Sequence, residues 1–516
     1  MRLILSIFKP YDALFAGLGL VLVVLYVATA GTGFPLDDSW IHQVYGRNLA
    51  ERGEWAFVAG QPSAASTSPL YTVLLSIGYR LNIHYLVWTH FLGWLALVIC
   101  AMTGARMAER LLPNRRYAGL LAGLALVSAW HLVWAAVAGM ETMLFSMFTL
   151  VLIALAWREL DTRQTRGQMA IRGVIFGALA ALTTLTRPEG ILLVGLVGLA
   201  VLASRPVSSW RLTGVWVISA AVSFLAVMTP YLLLNLQLTG GLLPNTAAAK
   251  YVQMSPVLAV ATYPERVRDM VFPLVAGGQA LLFVGMVFYG FHSLRQWQQS
   301  RSLAPYALYL LPLLWGLALI LLYAARLPAP YQHGRYVIPA LPALIVSGVV
   351  GMFWLAAAWR KWLFGRVITR ALSISAAMVF AYFAFVAGPG VYRTDVAIIE
   401  QEMVTAAQWI AENVPPEELL AVHDIGAVGY FAPRPILDVA GLVNPEVIPI
   451  YHDKEALYAL MQTRDARYLL AFPDQVPGDD TDDPRLCPLF TTQGEASPRA
   501  GGANMTLYKL AWDEVC

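Results

Sequence analysis

Apolar residues run along this chain in long blocks, with polar residues gathered between them. The blocks fall near residues 12–30, 85–105, 117–137, 142–157, 171–186, 190–204, 212–235, 271–291, 304–324, 336–358 and 371–388. Each is close to the ~20 residues that cross a hydrocarbon core as a helix, so the pattern predicts about eleven membrane spans. From about Val391 onward the pattern changes to that of a soluble domain. Helices are expected over 404–413, 427–431 and 454–462, and strands over 419–422, 436–439 and 468–472. That alternation predicts a small α/β domain. Residues 478–484 form an acidic surface loop in this reading. The fold class is therefore a polytopic α-helical membrane protein, residues 1–390, followed by an α/β domain over 391–516.

Composition agrees with a bilayer protein. Of 516 residues, 58% are hydrophobic and only 13% charged, against about 25% charged in a soluble chain. Mean hydropathy is +0.60. Cations orient the chain. Arg106, Arg110, Arg115 and Arg116, then Arg158, Arg163, Arg166 and Arg172, then Arg205 and Arg211, Arg295 and Arg301, and finally Arg360, Lys361, Arg366 and Arg370 all fall in alternate loops. The positive-inside bias places those loops and the N-terminus in the cytoplasm of an inner (plasma) membrane. An odd number of spans then puts the α/β domain outside. These anchors account for the net charge of +3 without a nucleic-acid partner. Ala28-Thr29-Ala30 resembles a signal-cleavage site, but the apolar stretch before it is long for a signal and further spans follow, so it is read as an uncleaved first helix.

The outer side carries the polar chemistry. The first outer segment, 31–83, has helical spacing over 39–52, with Trp40, Val44 and Leu49 toward one face. Ser66-Thr67-Ser68-Pro69 then signals a helix start. The stretch it opens, 70–81, is too short to span comfortably and fits an interfacial or re-entrant helix, so the segment is expected to carry its own helices on the membrane surface. A second outer segment, 236–270, contains Gly240-Gly241-Leu242-Leu243-Pro244-Asn245. A third, 326–336, holds Pro328, Pro330, His333 and Arg335.

Ionisable groups at the outer ends of spans are costly unless they act. Asp37 and Asp38, Glu141, Arg187 with Glu189, Lys250, and His333 with Arg335 all fall on that one side. Carboxylates beside cations at an interface suit a phosphorylated lipid and an activated hydroxyl. Each residue also has a plainer role. Asp37, Asp38 and Glu141 can stabilise helix starts, and Arg187 can pair locally with Glu189. Lys250 can snorkel, and His333 or Arg335 can anchor at the interface. His423 and Asp424, adjacent at a strand end, read as turn formers. Cys100 sits inside a span as a small apolar residue. Cys487 and Cys516 share the oxidising side and are candidates for a disulfide.

The strings LDDSWIHQVYGRNLAERGEWAF, STSPLYTVLLS, AGMETMLFSMF, LTRPEGILL, GGLLPNTAAAK and HGRYVIPALP, in that order, resemble the GT-C superfamily of integral-membrane glycosyltransferases. The series, with HDIGAVGYFAPRPILDVAGLVNP in the tail, looks most like the terminal arabinofuranosyltransferase-like branch. The resemblance implies a polyprenyl-phosphate-sugar donor, an inverting transfer on the outer membrane face, and a glycan, glycolipid or protein acceptor. By that resemblance Asp38 is the base on the acceptor hydroxyl with Asp37 in support, and Glu141 orients the acceptor or helps bind a metal. Arg335, His333, Lys250 and Arg187 match the cations that hold the donor phosphate. Ala64-Ala65-Ser66-Thr67 stands where relatives carry an acidic-Gly-Tyr-Thr sequence, so the arabinose preference is not carried over. A divalent metal is left open, since no HExxH or CxxC motif is present. A lipid-linked glycan ligase or polymerase shares this logic. A polyprenyl-lipid transporter would place its charges near mid-span and often show inverted repeats, and neither is seen.

Overall fold

A computed structural model describes residues 9–158, 165–204, 210–242, 244, 246–300, 306–512 and 516. Arg163, Arg205, Leu243, Asn245 and Arg301, named above, lie outside the described residues, as does the N-terminal segment 1–8.

The chain is an integral membrane protein. Among the described residues, six helices are long and apolar enough to cross a bilayer: Pro10–Ala30, Tyr85–Leu111, Arg166–Thr186, Trp210–Thr239, Tyr331–Ala358 and Leu363–Asn413. Two bent pairs pass the same test together, Ala118–Val127 with Trp130–Val137 (52°) and Tyr263–Val275 with Gly278–Gln299 (115°). Three shorter apolar helices, Thr142–Arg158, Gly190–Ala203 and Leu311–Arg326, complete the set. Every expected apolar block lands on one of these elements. The block at 271–291 differs in form: the chain folds back on itself instead of crossing straight through. The break falls at Ala276-Gly277, where Gly277 has φ 136°.

Close helix contacts use residues without side chains, as expected where lipid tails supply no hydrophobic drive between helices. A Cβ on Gly177 would sit 2.0 Å from the Ala220 carbonyl oxygen, and one on Gly351 would sit 1.8 Å from that of Gly285. The bundle core runs through Trp130–Val137, all buried, with Trp157 and Trp315.

The outer segment departs from the surface-lying expectation. Asp37–Glu51 forms a helix whose Ser39, Trp40, Ile41, His42, Gln43, Val44 and Tyr45 are all buried. Its apolar residues share one core with Ile425, Val428 and Leu420 of the soluble domain. Burial on every face means that the helix is roofed over by the soluble domain. Pro69–Arg80 packs beside it and keeps Val73 and Ile77 exposed, the half-covered helix that the sequence suggested. A short hairpin, β1 (Ala56–Val58) with β2 (Gln61–Pro62), links the two.

The tail holds a five-stranded sheet of β3 (Leu420–Val422), β4 (Ile436–Asp438), β5 (Tyr468–Ala471), β6 (Leu486–Thr491) and β7 (Thr506–Leu510) in the order β4-β3-β5-β7-β6. β3 is parallel to both β4 and β5, while β7 is antiparallel to β5 and β6. The sequence anticipated β3, β4 and β5; β6 and β7 lack clean alternation and went unnoticed. Cys487 in β6 is disulfide-bonded to Cys516, their Cα atoms 5.4 Å apart. The Leu363–Asn413 helix passes without interruption through residue 390, so membrane and soluble parts are joined by a continuous rod. Glu402 on that rod accepts from Asn504 Nδ2 (2.9 Å) and the Met505 backbone N–H (2.9 Å), tying it to the edge of β7.

Candidate active site

A cavity of about 740 Å3 lies where the outer helix, the span ends and the soluble domain meet. Asp38, Glu141, Arg187, Lys250 and Arg335 all line it. Asp37 and His333 do not. Five of the seven candidates from sequence therefore converge, although they come from separate outer segments.

Asp37 and Asp38 are neighbours with opposite surroundings. They open the same helix, so their side chains diverge by about 100°. The Asp37 carboxylate accepts the backbone N–H groups of Gly426 (2.7 Å) and Ala427 (2.8 Å), at the start of the Ile425–Phe431 helix. It is a clasp between outer helix and soluble domain. Burial, with the Asp424 carboxylate next, pushes its pKa up to about 8 against the pull of those two donors. Asp38 faces the cavity, where Arg335 Nη2 donates to its Oδ2 at 2.5 Å. Burial alone would raise its pKa, but Arg335 and Lys250 hold it well below the usual carboxylate range. Two adjacent carboxyls are thus driven apart, one toward the neutral form and one fixed as an anion. Such splitting is how environments assign acid and base roles.

Arg335 reaches the cavity from the start of its span. Nη2 serves both Asp38 and the Tyr336 hydroxyl (2.9 Å). Its Nε and Nη1 are buried with no partner among the described residues. Lys250 stands on the Thr246–Gln253 helix. Burial would lower its pKa, yet Asp38 raises it, so it stays charged. This part of the site therefore sets two cations against one carboxylate.

Arg187 has the reverse setting. Its Nη1 donates to Glu141 Oε1 (2.6 Å), its Nε to Glu189 Oε2 (3.3 Å), and its Nη2 to the Tyr323 hydroxyl (2.8 Å). Tyr323 in turn donates to Glu189. Glu141 is fully buried, and His42 Nε2 lies 3.1 Å from its Oε2. Burial would raise the Glu141 pKa; the His42 ring and Arg187 bring it down to about 2 instead. His42, Tyr323 and Tyr336 line the cavity and were not anticipated from sequence. For His42 a signal existed: it follows Asp38 by four positions on one helix, which places both on one face.

Arg326, Thr67, Thr246 and Tyr251 add further polar groups to the wall, and its apolar part is made by residues such as Ile191, Leu192, Leu322 and Leu327 near the span ends and Leu442 from the soluble domain. Among the described residues no group of three or more His, Cys, Asp or Glu is placed to hold a metal ion. His423 Nδ1 lies 3.2 Å from Asp424 Oδ1, and Gln475 Nε2 donates to Asp424 Oδ2 at 2.8 Å.

Residues 395–510 match a family described as a domain of unknown function (DUF8728). No curated protein matches the sequence. Solved structures do match in shape. ArnT from Cupriavidus metallidurans, bound to undecaprenyl phosphate, superposes at a TM-score of 0.60 over 98% of each chain with 15% identity. The archaeal oligosaccharyltransferase AglB from Archaeoglobus fulgidus, in complex with an inhibitory peptide and a dolichol-phosphate, superposes at 0.55 with 12% identity, over 90% of this chain and 70% of its own. Both are GT-C glycosyltransferases, and the chain has the GT-C fold.

Proposed function

We propose that the protein is an inverting glycosyltransferase that moves a sugar from a polyprenyl-phosphate donor to an acceptor hydroxyl at the outer membrane face. One observation carries this reading: the Asp38 carboxyl shares a cavity with Arg335 and Lys250, at the level where apolar span ends can receive a lipid tail. The donor phosphate sits against Arg335 and Lys250, which supply charge-assisted hydrogen bonds. The acceptor oxygen attacks the anomeric carbon as its proton passes to Asp38. The bond from that carbon to the phosphate oxygen breaks, and the electron pair leaves on the polyprenyl phosphate beside the two cations.

A carboxylate held so low is a weak base when the cavity holds only protein. Donor phosphate changes that, because its negative charge weakens the pull of Arg335 and Lys250 on Asp38. The base is therefore strengthened by the substrate that it serves. Arg187 is neutralised by Glu141 and Glu189, so its task is to hold those carboxylates in place near the sugar. The cations of the inner loops put the N-terminus in the cytoplasm and the soluble domain outside.

The test is sugar transfer by purified protein in liposomes, using a panel of radiolabelled polyprenyl-phosphate monosaccharides, for wild type and Asp38→Asn. Loss of transfer in a variant that still binds donor supports Asp38 as base. Full activity moves the role to Glu141, the other sequence-predicted carboxylate that lines the cavity. Absence of transfer by wild type from every donor, with lipid carried across the bilayer, replaces the enzyme by a porter.

A further inference from the structure

His333 is two residues from Arg335 yet stands outside the cavity. Its Nε2 lies 2.7 Å from Asp395 Oδ2, an oxygen that also accepts the Trp134 indole N–H at 2.9 Å. The ring is packed edge-on between Trp130 and Trp134, with centroids 5.3 Å and 5.2 Å away. Asp395 belongs to the rod that joins the bundle to the soluble domain.

The backbone here is unusual. Gln332, His333 and Gly334 occupy the left-handed region in succession, with φ of 53°, 59° and 68°. Glycine takes that conformation freely, whereas Gln and His do so at a cost and persist there only when their surroundings enforce it. The turn closes with Arg335 N–H on the Gln332 carbonyl (3.2 Å) and Val337 N–H on that of Gly334 (2.8 Å). Arg335, the next residue, returns to a right-handed φ of −46°. The direction of its side chain is thus set by the turn.

We propose that His333 is a positioning residue: pinned by Asp395, it holds the left-handed turn that aims the Arg335 guanidinium at Asp38. Without the pin, Gln332 and His333 relax toward ordinary φ values and Arg335 swings off its carboxylate. Because the pin stands on the inter-domain rod, movement of that rod reaches the phosphate-binding arginine through one hydrogen bond. The part of this inference that concerns phosphate rests on the function proposed above.

The test is a double-mutant cycle on binding of undecaprenyl phosphate to full-length protein in nanodiscs, joined to hydrogen exchange over residues 332–337. His333→Ala and Asp395→Ala should each weaken binding about tenfold and Arg335→Ala by more, while His333→Ala adds nothing in the Arg335→Ala background. Additive losses would overturn the inference. His333→Gly accepts the left-handed backbone without strain, so it folds even if the alanine variant does not. It should bind better than Asp395→Ala, because glycine keeps the left-handed turn without the pin; binding by His333→Gly no better than by Asp395→Ala overturns the proposal. Exchange at 332–337 should quicken in the His333 and Asp395 variants but not in Arg335→Ala. If wild type binds no polyprenyl phosphate the proposed function falls, and exchange alone then decides the positioning role: unchanged exchange in His333→Ala rejects it.

Discussion

The cavity has two charged halves made of the same residue types in opposite proportions. Around Asp38 one carboxylate meets two cations, Arg335 and Lys250. Around Arg187 one cation meets two carboxylates, Glu141 and Glu189. Arg335 retains two nitrogens, Nε and Nη1, without partners among the described residues, whereas the Arg187 nitrogens are all engaged by Glu141, Glu189 and Tyr323. An added phosphate is attracted to the first half and repelled by the second. Proximity in a cavity does not make two arginines equivalent; the carboxylate count beside each decides.

The largest effect is expected at Asp38. Asp38→Asn keeps the side-chain shape and removes the base, which should lower kcat by about 10²–10⁴-fold. Donor affinity should hold or improve, since a carboxylate no longer competes for Arg335. A parallel loss of donor binding would show that Asp38 shapes the pocket and does not take the proton.

Next in size is the contrast between the two arginines. Arg335→Ala should raise the donor KM and lower kcat by about 10²-fold or more, with little change in thermal stability, because Asp38 keeps Lys250 and partial exposure. Arg187→Ala leaves Glu141 charged and fully buried, a change that costs about 3–5 kcal/mol. Its signature is therefore a lower Tm. Adding Glu141→Gln to Arg187→Ala should recover much of that stability. If Arg187→Ala instead loses donor binding at unchanged Tm, the division of the cavity is wrong.

Much of this site can be read from the order of residues along the chain. Glu141, Arg187 and Arg335 each sit at the end of an apolar block, where a charge stands out against its neighbours, and Asp38 and Lys250 lie in the long segments that follow two others. What cannot be read is pairing. Nothing in Thr186-Arg187-Pro188-Glu189 reveals that Glu141 arrives from another segment to cancel the arginine, since that contact spans 46 positions. The resemblance puts His333 beside Arg335 among the phosphate-holding cations, but His333 does not line the cavity, and the left-handed turn at 332–334 sends the two side chains to different places. The span blocks were legible because a bilayer demands long apolar runs. The burial of the Asp37–Glu51 helix was not, because Ser39, His42 and Gln43 are polar, and only the soluble domain folding back makes them interior. β6 and β7 were lost for a related reason: Pro488 interrupts one, and Lys509 is the sole charge in the other.

Lys250 sharpens the comparison further. Lys250→Ala should weaken donor binding by less than Arg335→Ala, because a lysine acts as a point charge without the fork that grips two phosphate oxygens. It should also raise the Asp38 pKa, since Lys250, after Arg335, is among the neighbours depressing it. The acid limb of the pH–kcat profile should then move upward relative to wild type. A profile that does not move would mean that Lys250 lies too far from Asp38 to matter.

The smallest effect concerns Asp37, the neighbour that the cavity excludes. Its pKa is raised to about 8 in the folded protein, against about 3.9 in an unfolded chain. The folded state therefore holds a proton that the unfolded state has released across that interval. By linkage, the stabilising contribution of the protonated group is complete below pH ~4 and is lost as pH rises through about 8. The soluble domain should be clasped more firmly at pH 6 than at pH 9, measured as Tm or as protease protection of the tail. Asp37→Asn carries no titrating proton and should flatten that dependence, at the cost of one of the two oxygens that receive Gly426 and Ala427. A wild-type protein whose tail protection does not change between pH 6 and pH 9 would show instead that the two backbone donors outweigh burial, and that Asp37, like Asp38, is held as an anion.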